Sequence, residues 1–212
     1  MNVDFKLYLI TDRKVATKPL PEAVRLALEG GVRAIQLREK DLPIRELLAL
    51  AQELRSITRE FGAKLFINDR VDVAVAVDAD GVHLGHLSMP PEGARKVVGK
   101  SMLIGVSTHD LGEAKAAEAG GADFITYGPI FETPSKVNKC IPVGIEAIKS
   151  IKSGISIPIY ALGGVKSGLI NQIMASGAYG ISMISAIFGA NDIRKAAETV
   201  VQEIAVSGRG AP

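Results

Sequence analysis

Gly30-Gly31-Val32-Arg33-Ala34-Ile35-Gln36-Leu37-Arg38-Glu39-Lys40 holds one complete structural transition. The glycine pair stops a segment whose Ala23, Leu26 and Ala27 follow helical spacing. The apolar run Arg33–Leu37 reads as a strand, and a polar stretch, Gln36 to Lys40, ends it. The same sequence of events recurs along the chain. Gly120-Gly121-Ala122-Asp123-Phe124 and Ser176-Gly177-Ala178-Tyr179-Gly180 repeat the helix stop and strand start, and Asp78-Ala79-Asp80-Gly81 is a looser copy. One αβ turn reused in this way predicts a glycine closing each helix and a small residue entering the next strand.

Extending the pattern outward predicts strands at 7–10, 33–37, 64–67, 81–84, 102–106, 124–127, 157–161 and 180–184. Helical spacing lies between them; over 43–61 it puts Leu47, Leu48, Ala51, Leu54 and Ile57 on one face. Alternating strands and helices imply right-handed crossovers and a parallel sheet. Eight such units close into an α/β fold of the single (β/α)8 TIM-barrel type. An open doubly wound sheet is the alternative. At 212 residues the chain is long enough for one domain with a large core, expected over 1–212 with a frayed tail from 207 to 212.

Charged residues make up 23% and the formal charge is +2, so no global basic field points to nucleic acid. No apolar run approaches membrane-spanning length, and the N-terminus lacks an apolar signal region. The single cysteine, Cys140, cannot form an internal disulfide. A cytoplasmic protein is expected. A homodimer is the expected oligomeric state.

In such a barrel, ligands bind where strands end at the C-terminal face. Polar stretches fall at these positions: Thr11-Asp12, Gln36 to Lys40, Asn68-Asp69-Arg70, Ser107-Thr108, Thr133-Pro134-Ser135-Lys136 and Gly163-Gly164, with Ser185 after the last strand. Arg38 and Lys40, two apart, face one side and suit a polyphosphate; their alternative is pairing with Glu39 and Asp41. Asp69 is a candidate Mg²⁺ ligand, unless Asn68 or Asp69 merely caps the next helix. Ser107-Thr108-His109 is a second candidate cap. Thr133, Ser135 and Lys136 lie in the longest loop and can hold phosphate. Gly163-Gly164 would let backbone N–H groups approach an anion. His83 and His86 form a conceivable metal pair, though a barrel histidine is more often hydrogen-bonded structure.

These residues, in this order, resemble the thiamine-phosphate synthases and the related thiazole tautomerases (TenI). The similarity runs from Leu7-Tyr-Leu-Ile-Thr-Asp12 to Met183-Ile-Ser-Ala-Ile187. Its most specific stretches are Gln36-Leu-Arg-Glu-Lys40, Ile67-Asn-Asp-Arg70, Gly81-Val-His-Leu-Gly85, Ile104-Gly-Val-Ser107 and Gly128-Pro-Ile-Phe-Glu-Thr-Pro-Ser-Lys136. The resemblance implies a transferase of thiamine biosynthesis. It would join 4-amino-5-hydroxymethyl-2-methylpyrimidine diphosphate to a thiazole phosphate, releasing pyrophosphate with help from Mg²⁺. By matching position, Arg38, Lys40 and Asn68 would bind the diphosphate, Asp69 the metal and Gln36 the pyrimidine. Ser107 and Lys136 would complete the pyrophosphate site, with Arg38, Lys40 and Lys136 assisting its departure. Thr133, Ser135, Gly164, Ile184 and Ser185 would hold the thiazole phosphate.

Two positions depart from the family patterns. Ser88 stands where synthases carry a second metal-binding carboxylate, and Pro129 stands where tautomerases carry a catalytic histidine. The resemblance therefore ranks synthase first. A tautomerase using His83 or His86 as base, or a non-catalytic binder of thiamine precursors, is the alternative.

Overall fold

The computed structural model describes residues 2–133 and 141–207. Eight parallel strands close on themselves in sequence order, with the eighth pairing back onto the first through Leu7↔Ile181 and Leu9↔Met183. The strands are β1 (Leu7–Ile10), β2 (Ala34–Leu37), β3 (Lys64–Asn68), β4 (Gly81–Leu84), β5 (Leu103–Thr108), β6 (Phe124–Tyr127), β7 (Ile159–Leu162) and β8 (Gly180–Met183). The barrel anticipated from the alternation is thus observed, and an open sheet is not. The helices are α1 (Leu20–Glu29), α2 (Ile44–Glu60), α3 (Val71–Ala76), α4 (Pro91–Val98), α5 (Leu111–Ala119), α6 (Glu146–Lys152), α7 (Ile170–Ala175), α8 (Ser185–Phe188) and α9 (Ile193–Ser207).

Two boundaries differ in ways that matter below. The sequence reading ends the fifth strand at Val106, yet β5 continues through Ser107 and Thr108, which pair with Thr126 and Tyr127. Ser207 is no part of a frayed tail. It ends α9, its hydroxyl bonded to the Glu203 carbonyl and to Asn171. Residues 208–212 lie outside the described residues.

The recurrent turn has one geometry. Gly31, Gly121 and Gly177 all adopt positive φ, as do Gly62 and, in the looser copy, Asp78. After α1 and α5 the second residue beyond each cap donates back across the last turn, Val32 to Ala27 and Ala122 to Ala117. This arrangement satisfies the orphan carbonyls of the helix end while turning the chain toward the sheet.

Inward-facing side chains fill the barrel in layers. Phe5, Tyr8, Phe66, Phe124 and Tyr160 pack together in its lower half, with Tyr8–Phe66 and Phe5–Tyr160 ring centroids at 5.2 Å. Room for these rings comes from glycine on the neighbouring strands. A Cβ on Gly81 would lie 2.4 Å from Phe66, and one on Gly105 2.4 Å from Phe124. The Tyr160 hydroxyl donates to the Phe5 carbonyl and the Tyr179 hydroxyl to the Val3 carbonyl, each at 2.6 Å, so the N-terminal segment closes the floor. An interior plugged this way leaves the C-terminal rim as the end open to a ligand. Outside the barrel, Leu47, Ala51, Leu54 and Ile57 bury the inner face of α2, as the spacing predicts.

Candidate functional site

Above the aromatic layer the interior turns polar. Gln36, His83, Ser107, Thr126 and Ser182 project inward from five strands, and the Tyr8 hydroxyl reaches them from below. Gln36 Nε2 donates to Tyr8 Oη at 3.1 Å, and Tyr8 Oη lies 3.4 Å from His83 Nδ1. Burial raises the Tyr8 pKa, so the phenol keeps its proton. His83 Nε2 lies 3.0 Å from Ser107 Oγ. Burial lowers the His83 pKa to about 3; Asp69 opposes that shift, while Arg38 and Lys40 reinforce it. His83 is therefore a neutral imidazole, one ring nitrogen donating and the other accepting, between Tyr8 and Ser107. Gln36 Oε1 and Ser182 Oγ have no partner among the described residues. A buried polar atom left unpaired costs about 1–3 kcal/mol, so each is open to a partner beyond the described residues.

The charged rim sits over this layer. Glu39 and Asp41 do not neutralise Arg38 and Lys40. Glu39 turns inward to Thr11 and Arg13, and Asp41 pairs with Arg13 and Lys14. Hydrogen bonding to Asp41, then Glu39, raises the Arg13 pKa, and Arg13, then Lys14, holds Asp41 low. Arg38 is half-buried and has no carboxylate within ion-pair distance among the described residues. Lys40 reaches across to Asp69, with Nζ 3.1 Å from Oδ2. A pair this exposed contributes little stability and exchanges readily.

Asp69 does not cap α3, which begins after Arg70 without a side-chain cap. Its backbone takes φ 60°, a strained value for a non-glycine residue, and directs the carboxylate toward the β4 loop. There Oδ1 accepts the Gly85 N–H at 3.2 Å and the Ser88 hydroxyl. Partial burial opposes ionisation of Asp69, yet Ser88, Lys40 and Gly85 together hold its pKa below the ordinary carboxylate value. Asn68, at the end of β3, makes no side-chain hydrogen bond to a described residue. Leu37, Lys40, Leu42, Asn68 and Asp69 line a cleft between the β2 and β3 loops. Arg70 is committed to Asp72.

Ser107 belongs to the inner polar layer as a strand residue, and Asp110 caps α5 in place of the Ser107-Thr108-His109 stretch. His83 lies buried in β4 while His86 is exposed in the following loop, and no group of three or more His, Cys, Asp or Glu suited to a metal occurs among the described residues. The chain around Ile130 lies along β7: Ile130 donates to Leu162 and Phe131 to Gly163. A Cβ on Gly163 would strike Pro129 at 2.6 Å, and one on Gly164 the Glu132 carbonyl at 2.5 Å. Close backbone approach thus accounts for this glycine pair by itself. The Gly164 amide donates to no described acceptor. Thr133 ends the described part of its loop half-buried, Ile184 precedes α8 and Ser185 opens it, exposed. Ser135 and Lys136 lie outside the described residues. The sequence reading missed Tyr8, Thr126 and Ser182; their signal was inward strand parity, legible once the register is known.

Fold and rim together define a (β/α)8 barrel whose C-terminal end carries a cation without an ion-pair partner among the described residues above a buried polar layer. The sequence model of the thiamine monophosphate synthase family matches residues 7–187, and the chain belongs to that family. A Geobacter sulfurreducens protein named putative thiamine-phosphate synthase is 52% identical over 200 residues, 94% of each chain. The thiamine-phosphate synthase of Pyrococcus furiosus is 44% identical over 94% of this chain and 96% of its own. A solved structure titled thiamine phosphate pyrophosphorylase, from the same organism, superposes with a TM-score of 0.88 at 42% identity, covering 96% of both chains.

Proposed function

We infer that the chain is a thiamine-phosphate synthase, a transferase that joins a pyrimidine diphosphate to a thiazole phosphate and releases pyrophosphate. Family membership and near-full-length relatives support this reading. The single structural observation that carries it is the juxtaposition of Arg38 and Gln36 Oε1, neither of which has a side-chain partner among the described residues. Arg38, Lys40 and Asn68 bind the diphosphate. Lys40 moves from Asp69 to a phosphate oxygen at little cost, because its ion pair is exposed. Gln36 Oε1 accepts from the amino group of the pyrimidine, and Ser107, backed by neutral His83, donates to the ring or the leaving group. Thr133, Ser135, Gly164, Ile184 and Ser185 hold the thiazole phosphate, with Lys136 completing the pyrophosphate side. The chemistry is stabilisation of a departing anion by fixed cations and dipoles, with little need for a general base.

The donor set fits Mg²⁺ in one mode. Asp69 is a single carboxylate and Ser88 adds only a hydroxyl, so substrate phosphate oxygens and waters must fill the remaining positions of an octahedral ion. When bound, Mg²⁺ adds positive charge to the departing pyrophosphate. His83 is a poor candidate for a tautomerase base, since burial pushes its pKa down to about 3. A coupled assay with both phosphorylated precursors, with and without Mg²⁺, tests the reading. Condensation that needs both precursors supports it; turnover of the thiazole substrate alone would replace it with the tautomerase.

A further inference from the structure

Arg38, Glu39, Lys40 and Asp41 alternate in sign along one loop. Neighbouring pairs of this kind cancel easily, and cancellation here would remove both cations on which diphosphate binding depends. The β1 loop prevents it. Glu39 is 5% exposed and both of its oxygens are taken: Oε1 by the Thr11 hydroxyl at 2.7 Å and the Arg13 amide at 3.1 Å, Oε2 by the Arg13 guanidinium at 3.0 Å. The same guanidinium forks onto Asp41 at 2.6 and 2.9 Å, and Lys14 joins at 2.7 Å. Thr11, fully buried, donates to Glu39 while accepting the Arg38 N–H at 2.9 Å. One side chain, Arg13, thus occupies both carboxylates interleaved with the rim cations. One carboxylate, Glu39, fixes through Thr11 the backbone from which Arg38 projects.

We propose that Arg13 and Glu39 are positioning residues of the diphosphate site: Arg13 sequesters Glu39 and Asp41 so that Arg38 and Lys40 stay available, and Glu39 sets the Arg38 backbone through Thr11. The inference rests on the reading of this rim as the diphosphate site. Arg13 is suited to the task because a planar fork serves two carboxylates at once, which a lysine ammonium does not do with comparable geometry.

The test is titration of inorganic pyrophosphate into the full-length protein by calorimetry at fixed salt, with KM for each precursor measured alongside. Arg13→Leu should weaken pyrophosphate binding by about tenfold, the effect of removing one charge-assisted hydrogen bond from the site. KM for the diphosphate precursor should rise while KM for the thiazole phosphate stays unchanged. Arg13→Lys should fall between. Neutralising the released carboxylates, in Arg13→Leu/Glu39→Gln/Asp41→Asn, where the glutamine amide oxygen still accepts from Thr11 and so keeps the Arg38 backbone in place, should recover affinity to within roughly threefold of the unmodified protein, the coupling expected of groups in direct contact. If Glu39→Gln disturbs folding, Asp41→Asn in the Arg13→Leu background, at a half-exposed carboxylate, should recover part of it. A purely structural role would lower thermal stability without this recovery. Unchanged affinity in folded Arg13→Leu overturns the inference and leaves the functional reading standing, as does a triple variant as weak as the single. Absence of pyrophosphate binding by the unmodified protein overturns both.

Discussion

The two ends of the barrel use the same kinds of charge in opposite ways. At the N-terminal end, Asp80 accepts the Leu65 N–H at 2.8 Å and Arg55 at 2.6 Å; two strands on, Asp123 accepts the Ile104 N–H at 2.7 Å and Arg95 at 2.6 Å. Each carboxylate sits one residue before a strand and ties a helix arginine to the start of the previous strand. These are the same clamp built twice. At the C-terminal end, Lys40 and Asp69 meet in a half-open pair, Arg38 has no described partner, and Gln36 and Ser182 hold unpaired atoms. Charge at one end is committed to holding elements together, and at the other it is held in reserve. The contrast lies in how the carboxylates and cations are committed rather than in complete saturation, since Arg55 Nε at the N-terminal end is also buried without a partner among the described residues; charge left open for a ligand is charge withheld from stability.

Four measurements put this contrast to the test. The largest effect should be the pH dependence of stability, and it should belong to the upper half. His83 has a folded pKa of about 3 against an ordinary 6.5, so the unfolded chain binds the extra proton. Its contribution is fully present above pH 6.5 and is lost as pH falls toward 3, at about 1.4 kcal/mol per pH unit. Asp69, held low in the fold, adds to the loss in the same direction at the acid end of that range. Denaturant melts at pH 6.5 and 4 should show a drop of roughly 3 kcal/mol that disappears in His83→Gln. An equal drop in both proteins would assign the acid sensitivity elsewhere.

Next in size, Asp80→Ala should destabilise the fold by about 2–3 kcal/mol, because it leaves Arg55 and the Leu65 N–H without their acceptor. KM and kcat at temperatures where the variant is folded should stay near those of the unmodified protein. A variant with normal melting and altered KM would erase the division between the two ends.

The converse substitution is Arg38→Ala. Stability should change by no more than ~0.5 kcal/mol, since no described ion pair is removed. Pyrophosphate affinity should fall by about ten- to a hundredfold, or ~1.5–3 kcal/mol. Unchanged binding in the folded variant would reject Arg38 as a phosphate ligand.

The smallest effect is expected from Ser88→Asp. Ser88 already touches Asp69, so a carboxylate there lies within reach of the same ion. The Mg²⁺ concentration for half-maximal rate should drop by about an order of magnitude or less, as a hard oxygen ligand is added. Equal Mg²⁺ requirements in the two proteins would show that the hydroxyl is no deficit.

Much of the architecture was legible residue by residue. Gly31, Gly121 and Gly177 marked helix ends because only a residue tolerant of positive φ closes a helix in this way. The end of β5 was not legible, since Ser107 and Thr108 read as polar rim; pairing with Thr126 and Tyr127 draws them into the strand. The glycine pair 163–164 was legible as special, but local sequence could not distinguish an anion site from close packing against the chain around Pro129 and Phe131. Ser135 and Lys136, read as phosphate ligands, lie outside the described residues.

The period of the elements, their number, the polar strand ends and, through specific motifs, the family all follow from the order of residues. These are properties of near neighbours along the chain, where turn chemistry and side-chain alternation act over a few residues. Which charge meets which follows only from the pairing of the strands. Glu39 lies beside Arg38 and Lys40 in sequence and yet pairs with Arg13, 26 positions away, because the parallel pairing of β1 with β2 brings the loops that follow them together and Glu39 turns inward. Electrostatic pairing follows distance and burial, and neither can be read from adjacency in a chain whose partners arrive from another strand.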